Sequence, residues 1–134
     1  GEQCPGRQVF EYAVRVDKDC DSACSLRDAF EYSLAPSAIQ ILQQPETAAP
    51  GIEFTNPYWM PAAVKPRDGA AGFVLRLWNA SAKEQSGEVR VGIPFAKVSR
   101  ARMDETRLEE VAAEDGVVSL TTKPSEIVTL VFEP

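Results

Sequence analysis

The 134-residue chain contains no histidine. That absence removes the commonest general base at neutral pH and the commonest metal ligand. Basic charge is scarce: 14 Lys and Arg against 20 Asp and Glu leave a formal net charge of −6. Nucleic acid and anionic membranes both want a basic surface, so neither is an expected partner. No apolar run approaches the ~20 residues that a membrane-spanning helix needs. Neither a phosphate-binding glycine loop nor an activated nucleophile is visible, so no independent catalytic site is expected. There is no internal repeat and no low-complexity tract. The chain begins at Gly1 rather than Met and shows no signal peptide. We expect an excised piece of a longer protein, which leaves open whether a leader was removed with the missing N-terminus.

Cysteine is present in an odd number, as Cys4, Cys20 and Cys24. Disulfide-stapled secreted domains usually carry an even set. Cys20 and Cys24 fall one helical turn apart, where a bridge is feasible but uncommon. Without histidine, three thiols would need a fourth ligand to hold a metal. We therefore expect three reduced, structural thiols and a cytoplasmic location. Asn79-Ala80-Ser81 points the other way, because it is a glycosylation sequon; we read it as the opening of a hairpin loop.

What remains is ordinary for one globular domain: 44% of residues are apolar and 25% charged, and a chain of this length buries about two-thirds of its unfolded surface. Gln8–Val16 alternates as a strand, with Gln8, Phe10, Tyr12, Val14 and Val16 on the buried face. Asp21 or Ser22 caps a helix that runs to about Leu34, with Ala23, Leu26, Ala29 and Phe30 on one side and Ser33 at its margin; Pro36 ends it. Ala38–Leu42 reads as a short strand, and Gln43–Gly51, with Pro45 and Pro50, as a linker. Beyond the linker the texture is all β. Strands are predicted at about 52–54, 58–65, 72–79, 87–93, 97–104, 107–112, 116–122 and 126–133, separated by turn signals such as Asp68-Gly69 and Asp115-Gly116. The fold class is all-β, an antiparallel β-sandwich with one short helix near the N-terminus.

The strand at 72–79 is unusual. Phe73, Leu75 and Leu77 form one face, and Val74, Arg76 and Trp78 the other. Both faces are mainly apolar, so the strand should be central and covered on both sides. Arg76 then needs a carboxylate or carbonyl partner, since an unpaired buried charge is very unfavourable. Its fork of donors suits an acid held in two-point fashion.

Three blocks now resemble a known family. Gly1–Val14, GEQCPGRQVFEYAV, is similar to a Gly-x-Gln-Cys-x-Gly-x-x-x-Phe-x-Tyr-Ala segment. Lys65-x-x-Asp68-Gly69-x-x-Gly72-Phe73-Val74-Leu75-Arg76-Leu77-Trp78-Asn79 looks like the family's Lys…Asp-Gly…Val-Leu-Arg strand. Pro124–Leu130, PSEIVTL, resembles its terminal strand. The family is glycoside hydrolase family 38, the α-mannosidases. The resemblance implies that residues 1–48 are the tail of a preceding central β-domain and 51–134 a C-terminal β-sandwich. It further implies a non-catalytic role for this chain beside a catalytic domain that hydrolyses α-mannosides, with retention and with zinc. The partners implied are those catalytic and central domains and, in the full enzyme, a carbohydrate substrate. The family's zinc ligands and nucleophile lie in its N-terminal domain, so no catalytic, metal or cofactor residue carries over here. Arg15-Val16-Asp17 stands where family members usually have Pro-His.

The residues to watch are therefore interface candidates. Arg76, Trp78 and Asn79 could face a neighbouring domain or its cleft; the alternative is that Arg76 is tied to a local acid. Tyr58 and Trp59 could stack on a sugar ring, as in a self-contained carbohydrate-binding module, but packing against a neighbouring strand is the reading we favour for Trp59. Asp17, Asp19 and Asp21 have the spacing of a calcium loop but lack its glycine and closing glutamate. The acids between Asp104 and Asp115 are expected on solvated strand edges and loops. Phe10, Tyr12 and Val14 are too apolar to leave in water. The N-terminal strand should therefore dock on the sandwich or pair with a second copy as a homodimer.

Overall fold

A computed structural model describes residues 6–34 and 51–134. Within them one helix, α1 (Ser22–Ser33), precedes nine strands: β1 (Ile52–Phe54), β2 (Trp59–Pro66), β3 (Phe73–Asn79), β4 (Gln85–Val91), β5 (Lys97–Ala101), β6 (Arg107–Glu110), β7 (Ala113–Glu114), β8 (Val117–Thr122) and β9 (Ile127–Glu133). They form two antiparallel sheets. One has four strands in the order β1-β4-β8-β7, the other five in the order β2-β3-β9-β5-β6.

The core lies between the sheets. Leu75, Leu77, Val89, Val98, Val118, Leu130 and Phe132 are wholly or almost wholly buried there. The period-2 geometry of strands explains the selection: Phe73, Leu75 and Leu77 of β3 sit opposite Phe132, Leu130 and Val128 of β9 and point inward together. Phe132 also stacks on Phe73, with ring centroids 4.5 Å apart, and meets Phe95 edge-on. Burying each such side chain contributes about 1.5–3 kcal/mol.

The turns obey local backbone chemistry. Asp115 and Gly116 both have positive φ, +48° and +78°, and form the two-residue link between β7 and β8. Asp-Gly is the sequence that such a turn favours. The β2–β3 link ends at Gly72, φ +107°, where a Cβ would lie 2.0 Å from the Phe132 carbonyl oxygen. Only glycine permits that approach of β3's entry to β9.

The strand at 72–79 is flanked by β2 and β9; its inner face is buried, and on its outer face Val74 is buried while Arg76 and Trp78 are half-buried. On the outer face of the five-stranded sheet, Val74, Val131 and Ala101 form a second buried cluster, with Thr129 and Met60 also buried. The strand predicted at 97–104 stops at Ala101, because residues 102–106 turn back over this outer face. Arg102 N–H donates to the Thr106 carbonyl, and Glu105 takes a positive φ of +68°.

Two expectations are corrected. Gln8–Val16 forms no strand, and Phe10, Tyr12, Val14 and Val16 are between 81% and 93% exposed. Alternation makes a segment competent to be a strand, but a strand exists only in a ladder, and no described residue supplies one. Nor are all the cysteines reduced, because Cys20 and Cys24 are joined in a disulfide. The predicted helical turn brings the two sulfurs together at the start of α1. The cytoplasmic expectation rested partly on reduced thiols and loses that support. Ala38–Leu42, Cys4 and most of the predicted linker lie outside the described residues. No described helix is long and apolar enough to cross a membrane.

Candidate functional site

Arg76 points to the outer face of the five-stranded sheet, opposite Thr129 of β9 and Ala63 of β2. The β5–β6 hairpin loop supplies its partners. Arg76 Nη2 donates to the Met103 carbonyl at 2.6 Å and lies 3.6 Å from Glu105 Oε1. The same Glu105 oxygen is 2.6 Å from Lys65 Nζ, which also bonds Asp68 at 3.0 Å. Glu105 first, and Asp68 next, hold the Lys65 ammonium above its ordinary pKa. These groups, with Arg67 and Asp104, line a polar cavity of about 490 Å³. Arg76 Nε is buried and has no hydrogen-bond partner among the described residues. Arg76 is thus held by a carbonyl and one acid within the sandwich, without the two-point carboxylate grip that its fork suits.

Asn79, at the end of the same strand, is fully buried. Its Nδ2 donates to the carbonyls of Lys83 at 2.9 Å and Lys123 at 2.8 Å, with a longer approach to Thr122 at 3.4 Å. Its Oδ1 accepts from Ser81 N–H at 2.9 Å. Thr122 belongs to the other sheet, so Asn79 helps tie the two sheets at one end of the sandwich. Trp59 completes the tie: its indole Nε1–H donates to Thr122 Oγ1 at 2.9 Å, and that hydroxyl donates to the Gln85 carbonyl at 3.2 Å. Buried polar atoms joined in this way specify one register of sheet against sheet.

The sequon is therefore a structural motif, since the amide that would carry a glycan is buried and donates to backbone carbonyls. Trp59 is only 3% exposed; it is a core side chain and offers no face to a sugar ring. Trp78 lies on the outer face, half-buried, opposite Met60 and Ile127. Arg76 and Trp78 share that face, whereas Asn79 turns inward.

Tyr58 has a different role from its neighbour. Its hydroxyl donates to Asp21 Oδ2 at 2.7 Å. Asp21 is also the N-cap of α1, and its Oδ1 accepts from Cys24 N–H at 2.9 Å. The Cys24 N–H first, and Tyr58 second, pull the Asp21 carboxyl below its usual pKa; the same hydrogen bond to Asp21 pushes the Tyr58 phenol up. Arg27 adds a bond to the Pro57 carbonyl at 2.7 Å. Asp17, by contrast, accepts from Asp19 N–H and pairs with Arg15. Its carboxylate lies within 4.8 Å of the Cys20 and Cys24 sulfurs, but those sulfurs are bonded to each other. The other acids are dispersed, with Glu109 and Glu110 exposed on the edge strand β6.

Set against known families, residues 60–130 match the model described as Glycosyl hydrolases family 38 C-terminal beta sandwich domain. The match takes in more than half of the chain and runs from β2 into β9. The chain belongs to this family. Its fold agrees, two antiparallel sheets with one short helix before them. No curated protein matches the chain as a relative. In this family 38 sandwich, sequence reasoning missed Glu105 and Thr122. Thr122 carried no visible signal. Glu105 could have been sought as the acid in the Asp104-Glu105 turn, the kind of partner that Arg76 needs.

Proposed function

We propose that this chain is a non-catalytic sandwich supporting the catalytic domain of an enzyme that hydrolyses α-mannosides. The observation that carries the reading is the family membership. The candidate residues fit it: Arg76, Asn79 and Trp59 all have partners within the sandwich. On this reading 51–134 is the C-terminal domain and 1–48 the tail of the preceding one. Phe10, Tyr12 and Val14, exposed here, would then pair with a sheet of that central β-domain. The outer-face residues Trp78 and Ile127 offer a second place for a neighbour to rest. Zinc would belong to the parent's catalytic domain. These residues do not fit it: the chain has no histidine, and the sulfurs beside Asp17 are spent on each other.

Two assays on the purified chain test the proposal. A glycan array should show no retained sugar, and an aryl α-mannoside should not turn over. Saturable binding to one glycan would replace the support role with that of a carbohydrate-binding module. Turnover that copurifies with the chain would overturn it altogether.

A further inference from the structure

We infer that the Cys20–Cys24 bridge is a redox-sensitive latch that holds α1 against the terminal sandwich. Helix α1 has 12 residues, too few to be stable alone in water. It gains little by burial: Ala23 is 2% exposed, but Phe30, Tyr32 and Leu34 are 37%, 55% and 66% exposed. Among the described residues two hydrogen bonds join it to the sandwich, from Tyr58 to its N-cap Asp21 and from Arg27 to the Pro57 carbonyl. Asp21 lies inside the loop that the disulfide closes, between Cys20 and Cys24. Its two carboxylate oxygens do different work, one capping the helix at Cys24 N–H and the other gripping Tyr58. The bridge thus fixes the turn that aims Asp21 both ways. Arg15 extends the effect, because it pairs with Asp17 and with Asp28 on the helix, so the chain before α1 is tied to it.

Reduction opens this turn. A dithiol donates two electrons: one of its thiolates attacks a bridge sulfur, and the other cysteine leaves as a thiolate. The second reductant thiol then attacks the mixed disulfide and releases the remaining cysteine. The reductant closes into a cyclic disulfide, and its two protons end on Cys20 and Cys24. Both cysteines are partly exposed, so the reagent has access. Closing so short a loop shifts an equilibrium by at most roughly thirty-fold on the chain-entropy account. That is enough to change a weakly docked helix from mostly bound to mostly free, while the buried sheets remain intact.

The test is amide hydrogen exchange on the whole chain, carrying Cys4→Ser so that the third thiol cannot exchange. It compares the protein with and without dithiothreitol. Reduction should speed exchange in Ser25–Ser33 by roughly ten- to thirty-fold, with Phe73–Asn79 and Ile127–Glu133 unchanged. In the reduced state Tyr58 should ionise at a lower pH, read as the absorbance change that Tyr58→Phe abolishes. The double variant Cys20→Ser/Cys24→Ser should show fast α1 exchange with or without reductant. The latch is overturned if α1 protection ignores reduction, or if the double variant keeps it. It is equally overturned if thiol titration finds both cysteines free before reductant is added, or if the sheets lose protection together with α1.

Discussion

Replacing Asn79 by aspartate changes one atom pair and inverts the electrostatics of the inter-sheet tie. The native amide donates to the carbonyls of Lys83 and Lys123 at 2.9 and 2.8 Å. An ionised carboxylate of the same shape would present oxygen to oxygen at a position with no exposure. A buried charge left without compensation costs about 3–5 kcal/mol, against a total of about 5–15 kcal/mol for a whole domain. With a urea m-value of about 1–1.5 kcal/mol/M, the midpoint should fall by roughly 3 M at pH 7. Trp59 and Trp78 fluorescence would follow the transition. The sign with pH is fixed by the environment. Burial against carbonyls raises the folded-state pKa of the new carboxyl above its unfolded value of about 3.9. The folded state then binds the proton more tightly, so the variant regains stability as the pH falls through that raised pKa toward about 4. Once protonated, the acid can donate one hydrogen bond and recovers part of the tie. If Asn79→Asp unfolds within about 1 kcal/mol of wild type at pH 7, or gains nothing relative to wild type on acidification, Asn79 is not the buried donor described above.

Gly72→Ala should cost more than about 3 kcal/mol, whereas Gly69→Ala should cost about 1 kcal/mol. Both have positive φ, but a Cβ meets the Phe132 carbonyl oxygen at 2.0 Å in the first case and open space in the second; thermal melts of the pair decide it. Arg76→Met should stay within about 1 kcal/mol of wild type, because it removes a buried Nε that has no partner along with the charge. Glu105→Gln should cost about 1–2 kcal/mol, since it leaves Lys65 and Arg76 without the acid they share. Urea titration should rank the two in that order, and the reverse ranking would mean that Arg76 earns more than its visible contacts. A chain trimmed to 51–134 should melt cooperatively, as α1 buries little against the sheets; loss of the calorimetric transition on trimming would make the N-terminal segment part of one core.

Much of the sandwich was legible because a strand buried on one face writes its pattern in every second residue. Phe73, Leu75 and Leu77 read correctly as one face of their strand, and Asp115-Gly116 announced its turn through the positive φ both positions adopt. The same pattern misled at Gln8–Val16, and the reason is physical. Side-chain alternation records which face would be buried if a ladder formed, but the ladder itself needs backbone partners that the sequence of the segment does not contain. Site residues failed for a related reason. The need of Arg76 for an acid was visible in β3, but the identity of that acid depended on where the 102–106 loop folds back, and that fold-back turns on the positive φ of Glu105. Trp59 and Trp78 look alike in sequence, yet one donates to Thr122 across the core and the other lies on the outer face. The bulge between Pro61 and Ala63 occurs in the strand of Trp59. It shifts the inside-outside phase along β2, so counting twos back from Val64 assigns the wrong face to Met60 and Trp59. Where the extra residue sits is decided by pairing with β3, and only the assembled sheet contains that information.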